Sequence, residues 1–151
     1  MPNITPKIRL FLDSSALFAG VVSPTGAARA LLVLGEIGRI TLVISEQVIT
    51  ETERALARKA PQALPFYQEA IQASHIQIVT NPSAAEVARH RHLISHAADV
   101  PIVLAAMQAQ VDFLVTLNRR HFIDDPGVAL KSGLRIGTPG DALSWLYETA
   151  T

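Results

Sequence analysis

The constraint that bears hardest on this chain is its rhythm: short apolar runs alternate with longer stretches whose apolar residues recur at helical spacing. Ile8 to Leu12 is the first such run and stops at Asp13-Ser14-Ser15, which reads as a buried strand ending in a polar loop. Ala27 to Ile37 follows, with Leu31, Leu32, Leu34 and Ile37 on one helical stripe and Gly38 as a stop. Thr41 to Ile44 is a second strand. Ser45 then suits the N-cap of a helix from Glu46 to Lys59, striped by Val48, Ile49, Ala55 and Leu56. Pro61 begins another helical stretch, Ile76 to Val79 forms a third strand, and Asn81-Pro82-Ser83 leads into a polar helix reaching about His96. Asp99 is expected to cap Val100 to Gln110, a helix apolar on nearly every face and therefore buried on several sides. Asp112 to Thr116 is a fourth strand, and Thr116 to Phe122 is a second strand-to-helix junction, followed by a loop holding Asp124-Asp125-Pro126-Gly127. Leu134 to Ile136 is a fifth strand, and Thr138-Pro139 opens a last helix through Trp145 and Leu146. Alternation of this kind predicts a three-layer α/β/α fold with a mostly parallel central sheet, whose sites form beyond the carboxyl ends of strands.

Composition bounds the function. The 151 residues are expected to make one domain, and 49% apolar against 17% charged residues is a composition that collapses rather than one that stays disordered. Without cysteine there is neither a disulfide nor a thiolate zinc site. The absence of a charged leader before a long apolar stretch, or of a run long enough to cross a membrane, predicts a cytoplasmic protein. Thirteen basic residues balance thirteen acidic ones, so no global field draws the molecule onto nucleic acid and any such contact is local. The local basic clusters are Arg54/Arg58/Lys59, Arg89/Arg91 with His90 and His92, and Arg119/Arg120 with His121. Short clusters of this kind also serve simply as solvated faces.

The residues that carry chemistry are acids and amides at strand ends. Asp13 and Asn118 fall immediately after strands, and Asp99 falls at a helix start beside which they could lie. Carboxylates converging in one cleft repel one another, and a divalent cation such as Mg2+ or Mn2+ is the simplest way to hold them together. Over a phosphodiester, such an ion acidifies a water and stabilises the leaving oxygen.

Four segments in order, Leu12-Asp13-Ser14-Ser15-Ala16, Ile44 to Glu51, Asp99 to Ala106 and Asp112 to Asn118, resemble successive parts of a PIN domain, a family of metal-dependent ribonucleases. Ile136-Gly137-Thr138-Pro139-Gly140-Asp141 resembles the family's last strand and helix, so the likeness spans roughly residues 8 to 147. It implies metal ligation by Asp13, Glu51 and Asp99, with Ser14, Thr116 and Asn118 as polar groups behind them, and Arg119 and Arg120 holding RNA phosphates. Mg2+ or Mn2+ is the implied cofactor, and the implied activity is that of an endoribonuclease. Stand-alone domains of this size resemble the toxin halves of toxin-antitoxin pairs, which implies an antitoxin protein as partner and a homodimer. The chain departs from the family at Asn118, where many members carry aspartate, and at His121, where some members with asparagine carry an acid. Asp124 or Asp125 could supply the missing charge. A module that keeps the fold and binds RNA or protein without cutting is the alternative that Asn118 supports.

Other readings compete for the same residues. Asp13 and Asp99 are also ordinary helix caps. Periodicity does not separate Glu51 from Glu53, and only the resemblance selects Glu51. Thr116, Ser14 and Ser15 suit plain hydroxyl caps, and Asp112 suits a strand start or a neighbouring backbone group. His92 and His96, four apart with Asp99 a turn beyond, have spacing a zinc site could use, but no third ligand is evident in the sequence. His121 reads as a phosphate contact, or as a residue without a contact, rather than as a base. An aspartyl phosphoryl-transfer site of haloacid-dehalogenase type needs an aspartate where Ser15 stands, and a Gly-rich phosphate loop is absent.

Overall fold

The structure, a computed structural model, describes residues 7–150. The segment read above for a leader, residues 1–6, lies outside them, as does Thr151. Five strands, β1 (Arg9–Leu12), β2 (Thr41–Ser45), β3 (Gln77–Val79), β4 (Phe113–Val115) and β5 (Ile136–Gly137), form one sheet in the order β3-β2-β1-β4-β5. Every neighbouring pair is parallel. A parallel sheet needs a crossover between successive strands, and the helical segments of the sequence supply them. The result is the α/β fold expected, with β1 at the centre and fully buried at Leu10 and Phe11.

The helices are α1 (Ser14–Val22), α2 (Ala27–Glu36), α3 (Glu46–Lys59), α4 (Leu64–Ala73), α5 (Ala84–Arg89), α6 (Val100–Gln108), α7 (Pro126–Ser132) and α8 (Pro139–Ala150). α6 buries Val100, Ile102, Val103, Leu104, Ala105 and Ala106, as its all-round apolar sequence requires. Strand order sets the position of chemistry. The chain runs from β1 outward through β2 and β3, then returns to the other side of β1 for β4 and β5. Strand order therefore reverses between β1 and β4, and loops leaving the carboxyl ends of these two strands diverge and leave a crevice. The register pairs Leu12 with Val115, so the next residues, Asp13 and Thr116, emerge side by side at that reversal.

The structure corrects four expectations. Helix α1 starts at Ser14, directly after the strand, so Asp13 to Ser15 is a helix start rather than a loop. The Asp124 to Gly127 segment leads into α7: Asp125 Oδ1 accepts from the Gly127 N–H at 2.9 Å, Pro126 fits the first turn without a donor to waste, and Gly133 closes the helix at φ 73°. The polar helix expected to reach His96 ends at Arg89. There the His90 Nδ1 lies 2.7 Å from the Glu86 carbonyl that would continue the helix, and the His90 N–H turns to Val87 instead. A turn of 3-10 helix, Arg91–Leu93, follows. His92 and His96 therefore do not share a helix face. Finally, α6 stops at Gln108 rather than Gln110, whose backbone turns to φ 55°.

Candidate metal and active site

Asp13 is 5% exposed and fully engaged. Its Oδ1 accepts from the Ser15 hydroxyl at 2.6 Å and from the Ala16 N–H at 2.9 Å, capping α1. Its Oδ2 accepts from the Thr116 hydroxyl at 2.5 Å, and its own N–H donates to the Val115 carbonyl at 3.1 Å. Burial pushes the Asp13 carboxyl above its ordinary value; the hydrogen bonds from Ser15, Thr116 and Ala16 pull the other way, and the negative charge of Asp99 adds to the rise. The helix cap expected of this residue is present, and the capping carboxylate is buried.

Thr116 is a two-way clamp. While its hydroxyl donates to Asp13, its oxygen accepts from the Asn118 N–H at 3.0 Å. Ser15 repeats the device, accepting from the Leu117 N–H at 2.9 Å. The serine tying Asp13 to the loop after β4 is thus Ser15; Ser14 opens α1 and is not among the donors to Asp13.

Asp99 stands at the start of α6, yet its side chain makes no cap hydrogen bond. Pro101 removes one N–H from the first turn, and the carboxylate turns instead to two imidazoles. Its Oδ2 lies 2.9 Å from His121 Nδ1 and 3.2 Å from His96 Nδ1. The two rings stack with centroids 4.3 Å apart. His121, expected to face phosphate or nothing, is therefore bound into the acidic corner, and His96 joins it from 25 residues away, a pairing no local spacing announces.

Glu51 is half-buried on α3 and accepts from Gln47 Nε2 at 3.2 Å, while the same amide donates to the Ala98 carbonyl at 3.0 Å. Gln47 thereby links Glu51 to the residue preceding Asp99. Glu53 points elsewhere and accepts from the Tyr67 hydroxyl at 3.0 Å. Of the two glutamates that periodicity leaves open, Glu51 is linked through Gln47 to the turn before Asp99 and Glu53 is taken up by Tyr67. Asn118 caps the turn Arg119–Ile123, its Oδ1 accepting from the His121 N–H at 3.2 Å. That turn sends the two arginines apart. Arg119 lines a cleft with Leu117, Thr138 and the start of α8, whereas Arg120 shares a cleft with His96, His121 and Asp125. Asp125 is committed to capping α7 but borders this second cleft. Asp112, as one reading had it, meets a neighbouring backbone group: its Oδ2 accepts from the Arg9 N–H at 2.8 Å.

Asp13 feels the charge of Asp99, Glu51 is linked through Gln47 to the turn before Asp99, and among the described residues no lysine or arginine forms an ion pair with any of the three. Buried or half-buried carboxylates without fixed positive partners are a donor set that fits a hard divalent cation.

A family model described as a PIN domain matches residues 9–120. This chain belongs to the PIN-domain family. Among solved structures, the PIN domain here is similar to PAE2754 from Pyrobaculum aerophilum, with a TM-score of 0.63 and 18% identity over 93% of this chain and 96% of that one. It is also similar to VapBC2 from Rickettsia felis, solved bound to a DNA fragment from their promoter, with a TM-score of 0.59 and 19% identity over 87% of this chain and 98% of that one. At these identities the likeness is one of fold. Comparison with curated proteins finds no match. No single helix among the described residues is long and apolar enough to cross a membrane.

Proposed function

We propose that this PIN domain is a divalent-metal-dependent endoribonuclease, with Asp13, Glu51 and Asp99 holding Mg2+ or Mn2+. One observation carries the reading: Asp13, a carboxylate held 5% exposed at the reversal of strand order, stands within electrostatic reach of Asp99 and lacks a lysine or arginine ion pair. A protein that needed only a helix cap there would be served by serine or asparagine without the cost of burying charge. When bound, the cation would acidify a water and stabilise the leaving oxygen of a phosphodiester. Thr116 and Ser15 hold the Asp13 carboxylate in one orientation and tie it to the loop after β4, so both strand ends move as one unit. Gln47 sets Glu51 against the Asp99 turn. Arg120, exposed at the cleft shared with His121, would meet an RNA phosphate; Arg119, on the far side of the turn, would contact the chain beyond the cut.

The family membership and the similarity to VapBC2 support a toxin role with an antitoxin protein as partner; an antitoxin that covers the site and a homodimer in the cytoplasm complete the proposal. The test is incubation of purified protein with a mixed RNA pool and Mg2+ or Mn2+, against EDTA and Asp13→Asn. Metal-dependent cutting lost in both controls supports the reading. Well-folded protein that leaves RNA intact with both metals overturns it in favour of a non-cutting PIN module that binds RNA or protein. One observation favours that second reading: Asn118 contributes no charge, and its carbonyl oxygen is taken by the His121 N–H.

A further inference from the structure

We propose that His96, Asp99 and His121 form a binding site for a borderline first-row cation of the Zn2+ or Co2+ class, built from two imidazole nitrogens and one carboxylate oxygen. One ligand atom from each of the three residues lies within 4.8 Å of the others. Two ligands held about 2.0–2.2 Å from a zinc-sized ion at roughly 90–110° to each other stand about 2.8–3.6 Å apart. The observed Nδ1 to Oδ2 separations, 2.9 Å for His121 and 3.2 Å for His96, fall in that interval.

Hydrogen bonding around His121 fixes how the ring meets Asp99. The orientation of the Asn118 amide is fixed, because its Oδ1 accepts from the His121 N–H at 3.2 Å. Its NH2 therefore faces His121 Nδ1 at 3.0 Å. The same ring nitrogen stands 2.9 Å from the Asp99 carboxylate oxygen, and it carries one hydrogen or one lone pair with which to meet these two neighbours.

The ligand types set the class of ion. Imidazole suits zinc, nickel and copper, whereas Mg2+ prefers oxygen and water. Three protein ligands leave a coordination position open. Here it would face a cleft of about 320 Å³ lined by Ser95, Arg120 and Asp125 as well as the two histidines. The inference shares Asp99 with the ribonuclease reading but does not depend on cleavage.

The experiment is titration of EDTA-stripped protein with Co2+ and Zn2+, read by the visible Co2+ spectrum and by the histidine ring resonances, with Mg2+ as a parallel arm. His96→Asn and His121→Asn are compared after circular dichroism shows them folded. His96 is an exposed side chain, so its variant keeps the proposal testable if the other fails to fold. The expected result is saturable Co2+ binding with nitrogen-ligand absorption, displaced by Zn2+ and not by an equal concentration of Mg2+. Affinity should fall at least tenfold in either variant, since changes even behind the ligands of a metal site cost about 10–100-fold. Equal affinity in wild type and His96→Asn, or ring resonances of His96 and His121 unmoved by the metal, overturns the proposal. RNA cutting with Mg2+ and no such Co2+ binding would sink this inference and leave the ribonuclease reading standing; Co2+ binding without cutting under any metal would do the reverse.

Discussion

Replacing Thr116 by valine tests whether the clamp at the strand reversal holds the acidic corner together. Valine keeps the volume and the β-branched shape of a residue that is 0% exposed, so no cavity opens and the register of β1 against β4 is undisturbed. What disappears is one hydroxyl with two jobs: the 2.5 Å donation to Asp13 Oδ2 and the acceptance from the Asn118 N–H at 3.0 Å. A hydrogen bond to a charged group is worth about 1.5–3 kcal/mol. Asn118 is only half-buried, so water can replace part of the second bond. The expected loss is therefore about 2–3 kcal/mol, or about 4–12 °C in Tm at the roughly 2–4 °C per kcal/mol usual for a chain of this size. Urea unfolding of wild type, Thr116→Val, Asp13→Asn and the double variant, all in EDTA, gives the coupling between the two side chains directly. A coupling of about 1.5 kcal/mol or more is expected from a charge-assisted bond. Additivity within about 0.5 kcal/mol would refute the claim that this bond orients Asp13.

Three further outcomes follow from the same geometry. Saturation with Mg2+ or Mn2+ at a hundredfold excess over its Kd should stabilise the wild type by about 2.7 kcal/mol in thermal unfolding and leave Asp13→Asn and Glu51→Gln unmoved; equal shifts in all three proteins would remove these acids from the metal site. Gly137→Ala should destabilise by about 1–3 kcal/mol in the same assay, because a Cβ would stand 2.9 Å from Asp141 Cβ and 3.1 Å from Phe113 Cζ, and a neutral result would mean that β5 and α8 shift to make room. The Asp141 carboxyl is held below its ordinary value of 3.8, first by the Thr138 N–H that it accepts at 2.9 Å, so its stabilising effect is present above that value and lost as pH falls through the lower folded one. Unfolding followed from pH 5 to pH 2 should accordingly show a shallower acid loss in Asp141→Asn than in wild type, and identical slopes would refute the linkage.

The alternation of apolar runs was enough to read a parallel α/β sheet, because each buried strand needs a crossover helix and the sequence writes both periods plainly. Where the reading failed, local chemistry competed with periodicity. The α7 start reads as a loop because Asp125-Pro126-Gly127 carries turn residues, although aspartate at the cap and proline in the first turn are equally a helix start. The break after Arg89 was invisible for a different reason: the 3.6-residue pattern continues through it, and only the contact of the His90 ring with the Glu86 carbonyl ends the helix. Both errors lie outside the strands, where burial no longer decides the conformation.

The acidic corner shows the same division between what is near in sequence and what is near in space. Asp13 and Thr116 could be placed at strand ends from the apolar runs alone, and the parallel register then brings them together. His96 and His121 could not, because their meeting needs α5 to end early and the turn after β4 to be capped by Asn118. The asparagine that looks like the loss of a ligand when read in the sequence is, in the fold, the residue that aims His121 at Asp99. An aspartate restored at this position would keep the oxygen that accepts from the His121 N–H but replace the amide NH2 beside Nδ1 with a second carboxylate oxygen. Asn118→Asp should therefore weaken the nitrogen-ligand Co2+ spectrum while strengthening Mg2+ binding at the carboxylates. A variant with unchanged preference between the two ions would show that Asn118 does not choose the metal.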